Sequence, residues 1–131
     1  MEDRIILGRK HVEIRLKRAH DAPARTDGTR ILIDRVWPRG ITKDELRLDA
    51  WIKDVAPSTE LRKWFGHDPA KWSEFRKRYS RELDRQRDAI APMIEKCRKG
   101  TVTLIFGAKD THHNNAVALK AYLERHFGNG A

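Results

Sequence analysis

A single cysteine, Cys97, stands among 131 residues, so no internal disulfide can form and a small disulfide-framed secreted fold is excluded. No apolar stretch approaches the roughly 20 residues that span a bilayer, which argues against a membrane-embedded protein. The chain opens Met1-Glu-Asp-Arg, and the apolar triplet at 5–7 is far too short for a secretory signal. Internal repeats, low-complexity segments and interdomain linkers are also missing. Together these absences predict one domain over residues 1–131, cytoplasmic and without a membrane partner. Closed Cys/His spacing of the kind that holds zinc is absent too, so no metal and no cofactor are expected.

What is present is charge and periodicity. Charged residues make up 36% of the chain and apolar ones 39%, and the formal net charge is +9. Four Trp, four Phe and two Tyr need burial, which a disordered chain could not give them. A basic surface attracts polyanions and anionic small molecules. The basic residues are spread along the chain rather than blocked into a tail, so a merely solubilising surface explains them as readily.

Residues 12–17 (Val-Glu-Ile-Arg-Leu-Lys) alternate apolar and charged side chains, the pattern of a half-exposed strand. Residues 19–29 form a polar loop turning at Asp27-Gly28, a candidate mobile segment. Arg30-Ile-Leu-Ile-Asp-Arg-Val-Trp37 is nearly continuous in apolar character up to Asp34, which predicts a buried central strand ended by Pro38-Arg39-Gly40. A helix start follows: Thr42 and Glu45 are spaced as a capping box, with Ile41 and Leu46 at the staple positions. Leu48, Trp51, Ile52 and Val55 continue at helical spacing, predicting a helix that runs to Pro57.

Ser58 is placed to cap a short helix carrying Leu61, Trp64 and Phe65, and Asp68-Pro69 is a second strong start. The apolar stripe from Trp72 through Tyr79, Leu83 and Ile90 to Cys97 predicts a long helix, which Pro92 should kink or break near residues 88–91. Gly100 ends it. A strand over 101–107 and a last helix over 116–127 complete the chain. The fold class expected is α/β: a small sheet of three or four strands flanked by several helices. The strands near 30 and 101 are parallel, joined by a right-handed crossover. Residues 5–7 are a candidate edge strand.

The segment 107–116 (Gly-Ala-Lys-Asp-Thr-His-His-Asn-Asn-Ala) carries the most concentrated chemistry. It joins the end of a strand to the start of a helix, where ligands of open α/β sheets bind and where unpaired N–H groups favour anions. If the two central strands are parallel, Asp34, Arg35 and Arg39 arrive at the same rim as Lys109, Asp110 and His113. Arg35, Arg39 and Lys109 are candidate anion ligands there, joined by Asn114, Trp37 and His67. His113 is the candidate proton-transfer group, with Asp34 or Asp110 orienting it.

Structural readings compete at each position. Asp34 and Arg35 would serve equally as a local ion pair, His113-Asn114 as a helix cap, Trp37 as packing and His67 as an exposed neighbour of a capping Asp68. Asp110, His112 and His113 could supply metal ligands, but a loop triplet of this kind is often accidental. A strand–loop–helix cradle resembles the phosphate loop of low-molecular-weight thiol phosphatases and the sulfur-carrying loop of rhodaneses. Both place a cysteine in the loop, where this chain has none; Cys97 lies on the preceding apolar stripe.

Four phrases in order, Arg30–Gly40, Trp51–Phe65, His67-Asp-Pro69 and Ala108–Ala116, resemble the YeaO-like family, a domain of unknown function (number 488). The resemblance runs from about residue 12 to 125. It implies a compact bacterial or archaeal cytoplasmic α/β domain and brings no reaction. Longer members of that family carry Cys-His-Arg where this chain has His112-His113-Asn114, a departure that removes a thiol and an arginine and leaves His113 as the shared position.

Two functions follow from different classes. The first is an anionic small molecule, nucleotide or phosphoester-like, held at the rim, with or without acid/base chemistry by His113. The alternative is a nucleic-acid-binding or regulatory module, using Lys71, Arg76, Lys77, Arg78, Arg81, Arg85 and Arg87 along a phosphate backbone. Glu74, Glu82, Asp84 and Asp88 are interspersed among them, as on a plain solvated helix face. Nothing in the pattern specifies an oligomeric state.

Overall fold

The strands β1 (Ile14–Arg18), β2 (Thr29–Leu32), β3 (Ala50–Trp51) and β4 (Val102–Phe106) form one sheet in the order β1-β4-β2-β3. The computed structural model describes residues 13–127, so the candidate strand at 5–7 lies outside the described residues. All three pairings are parallel: Ile14 pairs with Val102, Thr29 with Val102 and Ile31 with Ala50. As in other sheets covered on both faces, the central strand is apolar without alternation, and every residue of β4 is buried.

Five helices flank the sheet: α1 (Lys43–Leu46), α2 (Thr59–Phe65), α3 (Trp72–Asp84), α4 (Arg87–Lys99) and α5 (Asn115–Phe127). Because side chains alternate along a strand, Ile31 and Ile33 face one way and Leu32 the other. Ile31, Ile33, Leu104 and Phe106 pack in the larger core with Phe75, Tyr79, Leu83, Met93, Leu119 and Leu123 from α3, α4 and α5. Leu32 and Ile105 meet Ala19 and Leu46 in a smaller cluster, covered by Trp37, Ile41 and Trp51.

The helix expected from Thr42 to Val55 is one turn long. The capping box forms as its spacing predicts: Thr42 Oγ1 accepts from Glu45 N (3.1 Å) and Glu45 Oε1 accepts from Thr42 N (2.8 Å). Arg47 then adopts a left-handed conformation (φ 48°) and closes the turn. Its carbonyl and that of Leu46 accept from the buried guanidinium of Arg30, which replaces a further helical turn as their partner. Asp49 N and Ile52 N donate to Arg30 O and Leu32 O, so the segment joins the sheet as β3, followed by a 3₁₀ turn at Lys53–Val55. Helical spacing of Leu48, Trp51, Ile52 and Val55 was therefore the wrong period: a two-residue strand and a tight turn put the same four side chains inward.

Two other expectations shift. The break in the long helix falls at Arg85-Gln86, before rather than within 88–91, and Pro92 is carried inside α4. Arg85 N and Gln86 N turn back to Glu82 O and Leu83 O. The carbonyl that Pro92 leaves without a helical donor belongs to the exposed Asp88, where water can take it.

The loop at 19–28 is anchored rather than loose. Lys17 Nζ donates to Ala22 O (2.9 Å) and to Asp27 Oδ1 (2.9 Å), and Arg15 Nη1 donates to Thr26 O (3.0 Å). Asp27 is buried against Arg30 at 2.6 Å, and its carbonyl accepts from Thr103 Oγ1 at 2.7 Å. Against the cost of burial, Lys17, the Ala24 amide and Arg30 hold its carboxyl below the usual carboxylate range.

Candidate functional site

Parallel pairing of β2 with β4 delivers both carboxyl ends to one edge of the sheet, and Asp34 ties them together. Its Oδ2 accepts from Gly107 N (2.8 Å), at the end of β4, and its Oδ1 from Asn115 Nδ2 (3.0 Å), at the start of α5. Trp51 Nε1 donates to the Asp34 carbonyl at 2.7 Å. Glycine suits position 107, because a Cβ there would stand 3.2 Å from Asp34 Oδ2. Burial pushes the Asp34 carboxyl above its ordinary value, against the opposing pull of its two donors and of Arg62. The local Asp34–Arg35 ion pair is not what forms; Arg35 instead reaches the Ala56 carbonyl at 3.4 Å.

A cleft of about 650 Å³ opens beside this tie. Asp34, Arg35, Trp37, Arg39, His67, His113 and Asn114 all line it, whereas Lys109 and Asp110 do not. Arg62 and Lys63, in the last turn of α2, line it as well. They were missed because reading α2 by its apolar positions Leu61, Trp64 and Phe65 says nothing of where its polar side points. The available signal was the predicted cap at Ser58, which fixes the phase of the helix; Ser58 Oγ accepts from Leu61 N at 3.1 Å.

The loop after β4 is organised by Asp110. Its Oδ1 accepts from His112 N (2.8 Å) and His113 N (3.0 Å), and its Oδ2 lies 3.0 Å from His113 Nδ1. Those two backbone donors and the imidazole hold the Asp110 carboxyl down at about 2, with the His112 amide the largest cause. With Nδ1 engaged by a carboxylate, Nε2 is the basic nitrogen of a neutral His113. Trp72 meets the ring edge-on at 5.5 Å. The contact that orients His113 thus comes from Asp110, while both Asp34 oxygens are spent on the scaffold.

Asn114 is buried and serves as the cap of α5: its Oδ1 accepts from Val117 N (2.9 Å) and its Nδ2 donates to Asp110 O (2.8 Å). Trp37 is half-buried, its indole N–H donating to Ile41 O (2.8 Å) and its ring edge-on to Trp51 at 5.4 Å. Exposed His67 holds a left-handed φ of 58° directly after Gly66 at 53°. Exposed Arg39 is fixed through its backbone, where His20 Nε2 lies 2.8 Å from the carbonyl. Among the described residues no group of three or more His, Cys, Asp or Glu side chains is placed to share a metal ion, and no helix is long and apolar enough to cross a membrane.

Comparison with known proteins finds relatives over most of the chain. The uncharacterized protein YeaO of Escherichia coli (strain K12) is 40% identical over 112 residues, covering 86% of this chain and 97% of its own. Rv3073c of Mycobacterium tuberculosis (strain H37Rv) and Mb3100c of Mycobacterium bovis are each 36% identical over 114 residues, 87% of this chain and 96% of theirs. No solved structure matches the chain significantly. Residues 13–130 match the family described as "Inactive DUF488-N3 subclade". The chain belongs to the YeaO-like DUF488 family.

Proposed function

We propose that the cleft binds an anionic small molecule, nucleotide or phosphoester-like. The observation that carries this reading is the imbalance of charge around one opening: Arg35, Arg39, Arg62 and Lys63 line it with His67 and His113, and the one carboxylate among the described lining residues, Asp34, already accepts from two donors. Arginine forks suit phosphate or carboxylate oxygens bidentately.

Acid/base chemistry by His113 is the finer form of this proposal. Asp110 fixes the tautomer that leaves Nε2 as the base, an arrangement suited to moving a proton. The description of the matched subclade as inactive favours binding without turnover, and binding is the role we assign first.

The nucleic-acid alternative has less support. Arg78 pairs with Glu74 at 3.0 Å and lies over Trp64, 4.2 Å from its centroid, while Lys71 donates to the Trp64 carbonyl. Those cations already have partners on the protein itself. Thermal-shift measurement with a panel of nucleotides and phosphate esters separates the readings. Stabilisation by a small anion, lost in the Arg62→Glu/Lys63→Glu double variant and altered in His113→Ala, is expected. No response to any of the panel, with His113→Ala equally silent, sinks the small-molecule reading. Salt-sensitive binding of an oligonucleotide, weakened by reversal at Arg78 and Arg81, would put the alternative in its place.

A further inference from the structure

Charge describes only part of the cleft. Val36, Trp37 and Pro38 form one apolar side of it, and Phe65 and Phe75, stacked at 4.4 Å, another, with Ala56 and Pro57 between α2 and the 3₁₀ turn that precedes it. Val36 is 64% exposed and is the one large hydrophobic left so among the described residues. A lone exposed valine means nothing on an ordinary surface. Here it sits at a pocket mouth, on a segment whose neighbours are fixed: Trp37 by its bond to Ile41 O and Pro38 by burial. A simple polyanion would leave the exposed part of this wall, Val36 above all, wet.

Size points the same way. About 650 Å³ lies well inside the range of roughly 300–1,000 Å³ that encloses a drug-sized ligand, far more than a phosphate ion needs. The four cations come from two separate elements, Arg35 and Arg39 from the segment after β2 and Arg62 and Lys63 from α2, so more than one negative charge can be met at once.

We propose that the ligand of this cleft joins a flat aromatic ring of nucleobase size, offering its face to the apolar wall, to two or more negative charges, as a nucleoside diphosphate does, and that Val36 is the residue that selects for the ring. The proposal rests on the anion-binding reading above and narrows it, since sugar phosphates and inorganic anions satisfy that reading but not this one. The ring covers Val36 and the Trp37–Pro38 wall, and the diphosphate takes the arginines.

Isothermal titration of the full chain with ADP, UDP, pyrophosphate and ribose 5-phosphate tests it. Pyrophosphate controls for charge and ribose 5-phosphate for the sugar. At least one of the two nucleotides should bind about tenfold more tightly than either control, the gain expected from burying a ring face. Val36→Ser should cost that nucleotide about three- to tenfold and leave pyrophosphate unchanged, while Val36→Leu retains the preference. Because the side chain is exposed, both variants should fold, which circular dichroism verifies. Pyrophosphate or ribose 5-phosphate binding as tightly as both nucleotides would overturn the ring requirement and leave the anion site standing. A nucleotide preference indifferent to Val36→Ser would overturn the selector. If none of the four binds, the anion-binding reading falls first and this one with it.

Discussion

The Asp34 carboxylate stands 2.8 Å from the backbone nitrogen of Gly107, and this bond joins the ends of two strands that are 73 residues apart in the chain. Its second oxygen holds Asn115 at the first residue of α5. One side chain therefore fixes two loops and a helix start on one side of the cleft.

Replacing Asp34 with Ala should lower stability by about 1–3 kcal/mol, as expected when charge-assisted bonds to half-buried donors are lost, read by chemical denaturation. Asp34→Asn should cost less, since one oxygen still accepts, but its amide then faces a donor. The pH profile separates charge from shape. The folded carboxyl titrates above its unfolded value, so the fold binds the proton more tightly and stability declines as pH rises from the ordinary carboxylate value through the raised one. That decline should disappear in Asp34→Asn.

Asp110 has the opposite sign. Its carboxyl is held at about 2, so its contribution is present above the ordinary carboxylate value and is lost as pH falls toward 2. Carboxyl-carbon NMR should find the low midpoint in the native chain. His113→Ala should raise it only part of the way, because the amides of His112 and His113 still donate.

Gly28 and Gly40 both hold positive φ, 65° and 75°, yet only one is crowded. A Cβ at 28 would stand 2.2 Å from the Thr101 carbonyl oxygen, whereas at 40 nothing lies within 4 Å. Gly40→Ala should cost about 1 kcal/mol of backbone strain and Gly28→Ala clearly more, about 3 kcal/mol or loss of the fold. Equal thermal midpoints for the two variants would contradict this account.

Asp27 and Arg30 form a buried pair at 2.6 Å, and Asp27→Ala leaves the guanidinium without a counter-charge, held by the Leu46 and Arg47 carbonyls alone. A loss of about 3–5 kcal/mol is expected. Glu13→Ala removes only the exposed partner of Arg15 and should change stability by less than about 1 kcal/mol. Denaturant midpoints of the two variants make the comparison.

Much of this architecture was readable from local signals. The Thr42–Glu45 box, the Ser58 and Asp68 caps and the apolar run of β4 each act over a few residues, and each formed where its pattern said. The failure at residues 48–55 has a distant cause: Arg30, sixteen residues earlier than Leu46, takes that helix end's carbonyls and the sheet takes the next amides. No window centred on Leu48 contains that information. The partnership of Asp110 with His113 was visible as i,i+3 spacing, but the scaffold role of Asp34 needed Gly107 and Asn115 in space. Arg62 and Lys63 joined the cleft through the turn of a helix whose apolar side alone had been weighed.

The strand order also bears on how the chain comes to fold. β4 is the last strand made, yet β1 and β2 pair with it and not with each other. During synthesis the first hundred residues emerge with the central rung of their ladder still to come, and apolar β2 waits without its inner neighbour. Closure of the sheet must wait for residues 102–106, so long-range pairing sets the pace of folding. Until then the apolar residues of β2, buried in the finished fold, are the part of the nascent chain most open to aggregation.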